Sequence, residues 1–171
     1  LLEKAKIKNK KASFSIPDFS TFFTTFTLPS MTDEEIPQAV EFKARHYIPF
    51  PLSEVTFDWQ IIGREETNSG AKLNVLLVAV PNTVLKSYQR VADLSQLNLI
   101  GMEAEIFGLI RSSIPEGKYQ YLPVCLIDIG WNTTTVSIVE NKRLRMSFSF
   151  DIAGLTLTKD LSSALQVSIE E

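Results

Sequence analysis

The segment Leu126–Val139 constrains the fold of this chain more strongly than any other part of the sequence. It joins an apolar run that ends in Asp128-Ile-Gly130 to a polar, threonine-rich turn and a second, alternating run. This pattern predicts a β-hairpin whose tip carries a carboxylate, hydroxyls and backbone N–H groups, with a glycine that lets a phosphate approach the main chain. The hairpin is half of a phosphate-binding site, because the sequence has no second Asp-x-Gly hairpin and no downstream Gly-Gly loop. A turn-capping role for Asp128 is the alternative.

Composition limits the protein classes to which this hairpin can belong. The chain has 171 residues, 44% of them hydrophobic, and a net charge of -3. This length allows a sizeable core, and we expect two units. The small net charge gives no overall field for nucleic acid or anionic lipid. The single cysteine, Cys125, excludes a disulfide framework, and no apolar run is long enough to cross a bilayer, so we expect a cytosolic protein.

Lysines crowd the start of the chain, between Lys4 and Lys11. Such a cluster can bind phosphates or acidic lipid headgroups, or it can be the solvated end of a helix, and we favour the solvated end. The uncapped Leu1-Leu-Glu3 is typical of the tail of a helix. We therefore expect that the chain is an internal piece of a longer protein.

The capping box Thr32-Asp-Glu-Glu35 predicts the start of a helix. Pro37 removes one backbone hydrogen bond, so we expect an irregular first turn. The apolar stripe of this helix must pack against a sheet. Its members are Ile36, Val40, Ala44 and Tyr47.

Alternating and apolar runs predict further elements up to Ile114. The strands are predicted over 13–16, 21–28, 55–61, 73–80 and 99–105, and two more helices from Asn82 to Leu97 and over 106–113. Residues 63–72 are polar and predict a loop. The order of elements is typical of one small sheet with helices on one side.

The last fifty residues predict a meander of three strands over 121–150 and a closing helix, Leu157–Leu165. A three-stranded sheet by itself leaves edges and an apolar face uncovered. We therefore expect self-association or disorder beyond Tyr121, unless another segment covers this face.

Independent catalysis is not expected. The only histidine is His46, near the predicted end of a helix, so no Ser-His or Cys-His pair is indicated. The acidic run Asp33-Glu-Glu35 is explained by favourable charge at a helix N-terminus rather than by metal binding. An RNA-binding sheet is disfavoured because the central strands lack paired basic and aromatic residues.

Several motifs occur in an order that is itself informative. They are Leu28-Pro-Ser-Met31, Glu34-Glu-Ile36, Tyr47-Ile-Pro-Phe50, Phe57-Asp58, Leu77-Val-Ala-Val-Pro81 with Tyr88, Glu105-Ile-Phe-Gly-Leu-Ile-Arg111, Asp128-Ile-Gly130, and Ala153-Gly154 with Leu157-Thr158. In this order they resemble the PilM family, the actin-like proteins of type IV pilus assembly, over essentially the whole chain. The division protein FtsA shares this architecture and is the nearest competing family.

The resemblance implies an α+β fold, a fragment of the actin-like (ribonuclease H-like) ATPase fold with an inserted ferredoxin-like strand-helix-strand-strand subdomain. It implies that residues 1–29 end the first lobe, 30–105 form the inserted subdomain with two helices, 106–120 return to the first lobe, and 121–171 begin the second lobe.

The resemblance also implies ATP and magnesium as ligands of the intact parent, with weak or no hydrolysis. Asp128 is then expected near the metal. The residues implied around the nucleotide are Gly130, Asn132, Thr133, Thr134 and Gly154. Trp131 stands where the family usually has a small residue, and Ala153 replaces the first glycine of a Gly-Gly pair, so we expect both to hinder phosphate approach.

The partner implied by the resemblance is the N-terminal tail of a PilN-like inner-membrane protein, with other type IV pilus assembly proteins as further partners. Candidate contact residues are Tyr47, Phe50 and Trp59. The implied role is a cytoplasmic scaffold, peripheral to the inner membrane. The alternatives are an FtsA-like division protein and an actin-superfamily ATPase whose hydrolysis drives assembly.

Overall fold

The computed structural model describes residues 4–67, 70–117 and 121–169. Strands and helices follow one another in a mixed order, with 3-10 turns at Asp18–Ser20 and Leu52–Glu54. In order, the elements are β1 (Lys11–Ile16), β2 (Phe22–Pro29), α1 (Ile36–Tyr47), β3 (Val55–Thr67), β4 (Gly70–Pro81), α2 (Asn82–Leu94), β5 (Asn98–Ala104), α3 (Glu105–Ser113), β6 (Val124–Ile129), β7 (Thr134–Glu140), β8 (Arg143–Phe150) and α4 (Gly154–Leu165).

The described strands form three sheets, and the strands before Ile114 form two of them rather than the single small sheet predicted there. Strand β1 pairs in parallel with β5, and β2, β4 and β3 form an antiparallel sheet in that order. Strands β6, β7 and β8 form the predicted meander. A parallel pair needs a long crossover connection, and the whole segment from β2 to α2 provides it. The one-sheet prediction was wrong because sequence periodicity carries no information on which strands pair.

Residues 63–67 and 70–72, predicted as part of a loop over 63–72, extend strands β3 and β4, while residues 68 and 69 of that loop lie outside the described residues. Glu65 lies directly opposite Lys72, and the Asn74 amide donates to the Glu65 carboxylate at 2.6 Å. Opposite charges on neighbouring strands stabilise such a pair. The residues are polar because this end of the hairpin extends beyond the core, and not because it lacks regular structure.

Helix α1 covers one face of the β2-β4-β3 sheet. Three of the four predicted stripe residues, Ile36, Val40 and Ala44, are fully buried, whereas Tyr47 at the end of the helix is 41% exposed. Full burial of an aliphatic side chain the size of Ile36 or Val40 contributes about 1.5–3 kcal/mol. The strand residues of this core are Phe26, Leu28, Val55, Leu73, Val75, Leu77 and Ala79.

The helix begins at Ile36, one turn later than the capping box predicted. Both the N–H and the hydroxyl of Thr32 donate to the Glu35 carboxylate at 2.9 Å, so the hydroxyl does not accept a bond as a helix cap would. These two bonds lower the pKa of Glu35. Pro37 lies in the first turn, as predicted, and cannot donate a backbone bond there.

A second core lies on the opposite face of the same sheet, where α3 and the meander pack. It contains Ile62, Leu76, Ala104, Ile106, Ile110, Ile114, Val139 and Leu144. Strand β4 is therefore buried on both faces, as predicted. Arg143 on β8 donates to the Ile62 carbonyl at 3.0 Å, at the irregularity in the register of β3.

Strand pairing crosses the expected division of the chain at residue 29. Strand β2 pairs with β4 along its whole length, from Phe22 to Pro29. Strand β5 lies within the expected insert but pairs with β1. If units are defined by strand pairing, one unit runs from β2 through β4. Its elements follow in the order strand, helix, strand, strand, which is the order that we expected for the inserted subdomain.

The meander presents an apolar face to solvent, as predicted. Ile127, Ile129, Met146 and Phe148 are each more than half exposed, and so is the α4 stripe of Leu157, Leu161 and Leu165. Among the described residues, no helix combines the length and the apolar content that a membrane crossing requires.

Candidate functional site

The predicted hairpin tip lies between β6 and β7 and is a tight, closed turn. The Gly130 N–H donates to the Thr133 carbonyl at 3.0 Å. A Cβ atom at position 130 would lie 2.9 Å from that same carbonyl oxygen, which is closer than real side chains approach. Closure of the turn therefore favours glycine at position 130, and this requirement is separate from the phosphate approach for which the sequence pattern suggested the glycine.

The first turn of α4 is docked on the hairpin tip. The N–H groups of Gly154 and Leu155 donate to the carbonyls of Gly130 and Trp131 at 3.0 and 2.9 Å. A Cβ atom at Gly154 would lie 3.2 Å from the Gly130 oxygen, so this position also favours glycine. The structure thus brings together Gly130 and Gly154, two of the residues predicted around the nucleotide.

The donors at the tip are only partly available. Thr134 is buried and its hydroxyl donates to the Ile152 carbonyl at 2.6 Å, so it cannot donate to a phosphate as well. Asp128 and Asn132 are exposed, and Thr133 is half-buried. Within the described part of the chain, the N–H groups of residues 131–133 have no hydrogen-bond partner. The tip therefore offers one carboxylate and a short run of amides.

The two residues expected to hinder phosphate approach occupy different surroundings. Trp131 is exposed at the tip, and Ala153 is buried beside it. In residues 4–67, 70–117 and 121–169, no group of three or more His, Cys, Asp or Glu side chains is placed to hold a metal ion. A metal role for Asp128 stays a prediction.

Two further carboxylates lie near the hairpin, and sequence reasoning missed both. Asp18 is only 5% exposed, and its Oδ1 accepts the Ile106 N–H at 3.3 Å. Its own N–H donates to Glu105 Oε1 at 3.0 Å. Burial raises the pKa of the Asp18 carboxyl to about 7; the Ile106 N–H opposes this shift, and the charges of Glu105 and Asp128 add to it.

A signal for this pair exists in the sequence, but it requires the strand pairing to be known. Asp18 and Glu105 each follow closely on the end of a strand, and the last residues of these strands, Ile16 and Ala104, are register partners in a parallel pair. The carboxyl ends of neighbouring parallel strands meet at one edge of a sheet. When the β1–β5 pairing is not known, nothing in the sequence relates Asp18 to Glu105.

A cleft of about 680 Å³ separates the β2-β4-β3 sheet from β1, β5, α2 and α3. Most of its lining is apolar, and polar side chains of β3, β5 and α3 stand at its edge. The lining residues are Ile16, Thr56, Phe57, Asp58, Trp59, Gln60, Leu76, Val78, Val80, Leu85, Met102, Glu103, Ala104, Phe107 and Arg111.

A two-pronged ion pair lies at the edge of this cleft. The Arg111 guanidinium donates to both carboxylate oxygens of Glu103, at 2.5 and 2.8 Å. This pairing lowers the pKa of Glu103 and raises the pKa of Arg111. The Arg111 and Glu103 side chains are 63% and 34% exposed, so the pair contributes little to stability.

The three predicted partner contacts do not lie together in this cleft. Tyr47 stacks on Phe26 at 5.2 Å, on the α1 side of the sheet, and Phe50 is exposed beyond the end of α1. Trp59 packs partly against the α1 core and also contributes to the cleft lining.

Comparison with known proteins identifies the family. The family model described as type IV pilus assembly protein PilM matches residues 1–171. The chain belongs to this PilM family. Over 93 residues, 54% of this chain and 20% of the relative, it is 25% identical to the cell division protein FtsA of Streptococcus pneumoniae serotype 2.

Solved structures share the fold. A chain of a PilM-PilN type IV pilus biogenesis complex matches with a TM-score of 0.79 at 18% identity, covering 99% of this PilM-family chain and 51% of the solved one. The cytoplasmic domain of EpsL, an inner membrane component of the type II secretion system of Vibrio cholerae, matches with a TM-score of 0.61 at 11% identity over 99% of this chain and 60% of that one.

The predicted α+β fold class is confirmed, since the chain shares its fold with a chain of the solved PilM-PilN complex. It spans about half the length of the solved PilM chain and a fifth of FtsA. The family establishes a place in type IV pilus assembly.

Proposed function

We propose that this PilM-family chain carries the partner-binding part of a cytoplasmic scaffold of type IV pilus assembly. Its cleft between the β2-β4-β3 sheet and α2–α3 would hold the N-terminal tail of a PilN-like inner-membrane protein. The observation that carries the proposal is the cleft itself, an apolar channel of about 680 Å³ in a fold shared with the PilM of a solved PilM-PilN complex.

The chemistry of the cleft suits an extended apolar peptide. Side chains of β4 such as Leu76 and Val78, with Leu85 of α2 and Phe107 of α3, supply the apolar lining. Its volume lies in the range of about 300–1,000 Å³ that is usual for ligand sites. Polar groups at the edge, including Asp58, would fix the direction of the bound segment.

The main chain of β3 adds a second means of recognition. Strand β3 is an edge of its sheet, in the order β2-β4-β3, and Thr56–Gln60 of this strand line the cleft. An extended peptide can pair with the free edge of such a strand, while pockets select its side chains. Strand addition at β3 would explain how one narrow cleft holds a short tail.

Calorimetry with a synthetic peptide of the PilN-like tail from the same organism tests the proposal. Leu85→Asp places a charge in the cleft and is expected to abolish measurable heat. Leu94→Asp makes the same change on the same helix, at a residue 76% exposed and outside the cleft lining, and is expected to bind like the wild type. Absence of heat with the wild-type protein, or an equal loss in both variants, would contradict the proposal.

The exposed aromatics at the end of α1 are tested by the same titration. Tyr47 and Phe50 were predicted as partner contacts but lie away from the cleft lining. Of the three predicted partner contacts, Trp59 is the one that lines the cleft. A Phe50→Ser variant that binds the tail as the wild type does would limit the contact to the cleft.

We also propose that the intact parent binds Mg-ATP with the hairpin tip as one half of the site. The free amides of residues 131–133 and the tight turn at Gly130 suit phosphate oxygens, and Asp128 would lie toward the magnesium. Bound nucleotide would act as a conformational ligand that shifts partner affinity. In the full-length parent, Asp128→Asn is expected to weaken binding of a fluorescent ATP analogue, and Asp160→Asn on α4 is the matched control.

The remaining proposals concern assembly and location. The uncovered apolar face of the meander supports self-association of this chain. Tethering to a PilN-like tail would place the protein at the cytoplasmic side of the inner membrane, in reach of other pilus assembly proteins. Recovery with the membrane fraction only when the PilN-like partner is co-expressed tests this location.

A further inference from the structure

The side chain of Asp18 is buried next to the cleft, but it is not part of the cleft lining. It lies in the 3-10 turn that follows β1. Two reciprocal hydrogen bonds join this turn to α3: the Ile106 N–H donates to Asp18 Oδ1 at 3.3 Å, and the Asp18 N–H donates to Glu105 Oε1 at 3.0 Å. A carboxylate from one segment thus caps a helix of another.

Helix α3 requires such a cap from outside. The first N–H groups of a helix have no partner within it, and a Ser, Thr, Asp or Asn at the N-cap position normally supplies one. The N-cap residue of α3 is Ala104, which makes no side-chain cap bond. Asp18 supplies the missing acceptor from across the β1–β5 edge.

The capped turn determines one wall of the cleft. Ile106, whose N–H is held, is fully buried, and Phe107, the next residue, lines the cleft. Arg111 lines it one turn later. On the other side of the same two bonds, Ile16 of β1 and Ala104 of β5 also line the cleft. The cap therefore fixes α3 and β1 relative to each other where both contact the cleft.

We propose that Asp18 is a positioning residue for the peptide cleft: by capping α3 from outside the helix, it holds Phe107 and Arg111 in the places where they meet the partner. This inference rests on the proposed function of the cleft. It adds that affinity for the tail depends on a buried residue that the peptide does not touch.

Two substitutions at one position separate positioning from general stability. In Asp18→Asn the carboxamide oxygen can still accept the Ile106 N–H, whereas Asp18→Ala removes the acceptor. By calorimetry with the PilN-like tail peptide, we expect Asp18→Ala to bind roughly tenfold more weakly, the effect of losing one helix cap, and Asp18→Asn to bind within about twofold of the wild type. Hydrogen exchange of the Ile106 amide should be faster in Asp18→Ala only.

A core variant far from the cleft is the matched control. Val40→Ala removes buried methyl groups from α1, on the opposite face of the β2-β4-β3 sheet, and is expected to lower stability without changing peptide affinity. The inference is overturned if Asp18→Ala binds like the wild type, if Asp18→Asn loses as much affinity as Asp18→Ala, or if Val40→Ala weakens binding equally. If the wild-type protein does not bind the tail, the proposed function of the cleft is itself contradicted. If the wild type binds but the variants give one of these results, only the inference about Asp18 is contradicted, so the two failures are distinguishable.

Discussion

Arg143 on β8 donates a hydrogen bond of 3.0 Å to the carbonyl of Ile62, which lies at the register irregularity of β3. A strand irregularity leaves a carbonyl outside the ladder, and this one is satisfied by a side chain from the meander. The bond joins the sheet that carries the candidate phosphate hairpin to the sheet that forms the cleft.

Replacing Arg143 by Met is expected to destabilise the protein by about 1–2 kcal/mol, because the buried Ile62 carbonyl loses its partner. Urea unfolding measures this change. Arg45→Met is the control, since Arg45 forms only an exposed ion pair with Glu41 on α1, and its loss should cost less than about 0.5 kcal/mol. Equal costs for the two variants would show that the Arg143–Ile62 bond contributes nothing specific.

The buried Asp18 predicts an unusual dependence of stability on pH. Burial raises its pKa in the folded protein to about 7, against an ordinary value of 3.8. Between these values the folded state retains a proton that the unfolded chain has released, so this residue's contribution to stability is complete below pH 3.8 and is lost as the pH rises through about 7. Asp18→Asn should remove this part of the slope.

The comparison is made by urea unfolding of the wild type, Asp18→Asn and Asp160→Asn between pH 4 and pH 8, a range chosen to span the ordinary and raised pKa values. Asp160 is exposed on α4, so its substitution should leave the wild-type slope in place. An Asp18→Asn variant with the wild-type slope would show that another group titrates in this range.

The hairpin tip predicts a graded series of glycine substitutions. Gly130→Ala places a methyl group 2.9 Å from the Thr133 carbonyl, so the turn must open, at a cost of about 1–3 kcal/mol. Gly154→Ala meets the Gly130 carbonyl at 3.2 Å and should cost less. Gly101→Ala on β5 meets nothing closer than 3.8 Å and should be close to neutral. Thermal unfolding gives the order, and a neutral Gly130→Ala would argue against the closed turn.

The uncovered face of the meander predicts concentration-dependent self-association. Phe148→Ser should reduce it, because Phe148 is 66% exposed among the apolar residues Ile127, Ile129 and Met146. Phe42→Ser on α1 is a matched control, since Phe42 is 65% exposed on a different surface. Sedimentation velocity at several protein concentrations distinguishes the two variants. A monomer at every concentration, or an equal effect of both substitutions, would contradict this use of the face.

The sequence predicted most elements because their patterns are local. The burial of Ile36, Val40 and Ala44 follows from helical spacing, and the β6–β7 hairpin follows from two alternating runs on either side of a polar turn. The error at residues 63–67 and 70–72 has a physical cause: strands that extend beyond a core become polar on both faces, and polarity alone resembles a loop.

The relationships that the sequence did not reveal are all long-range. Asp18 and Glu105 become neighbours only through the parallel pairing of Ile16 with Ala104. The Thr32–Glu35 motif was recognised correctly, but its position relative to the helix was not. The Glu35 carboxylate accepts a hydrogen bond from Thr32, and α1 begins only after Glu35. The cleft depends on two sheets facing each other, and no periodicity within one segment reports that arrangement.

The two hydrogen bonds that dock α4 on Gly130 and Trp131 have a mechanical consequence. They join the loop at one end of the meander to the first turn of a helix roughly 18 Å long, so we expect a rotation of the loop to move the far end of the helix, near Leu165, further than the loop itself.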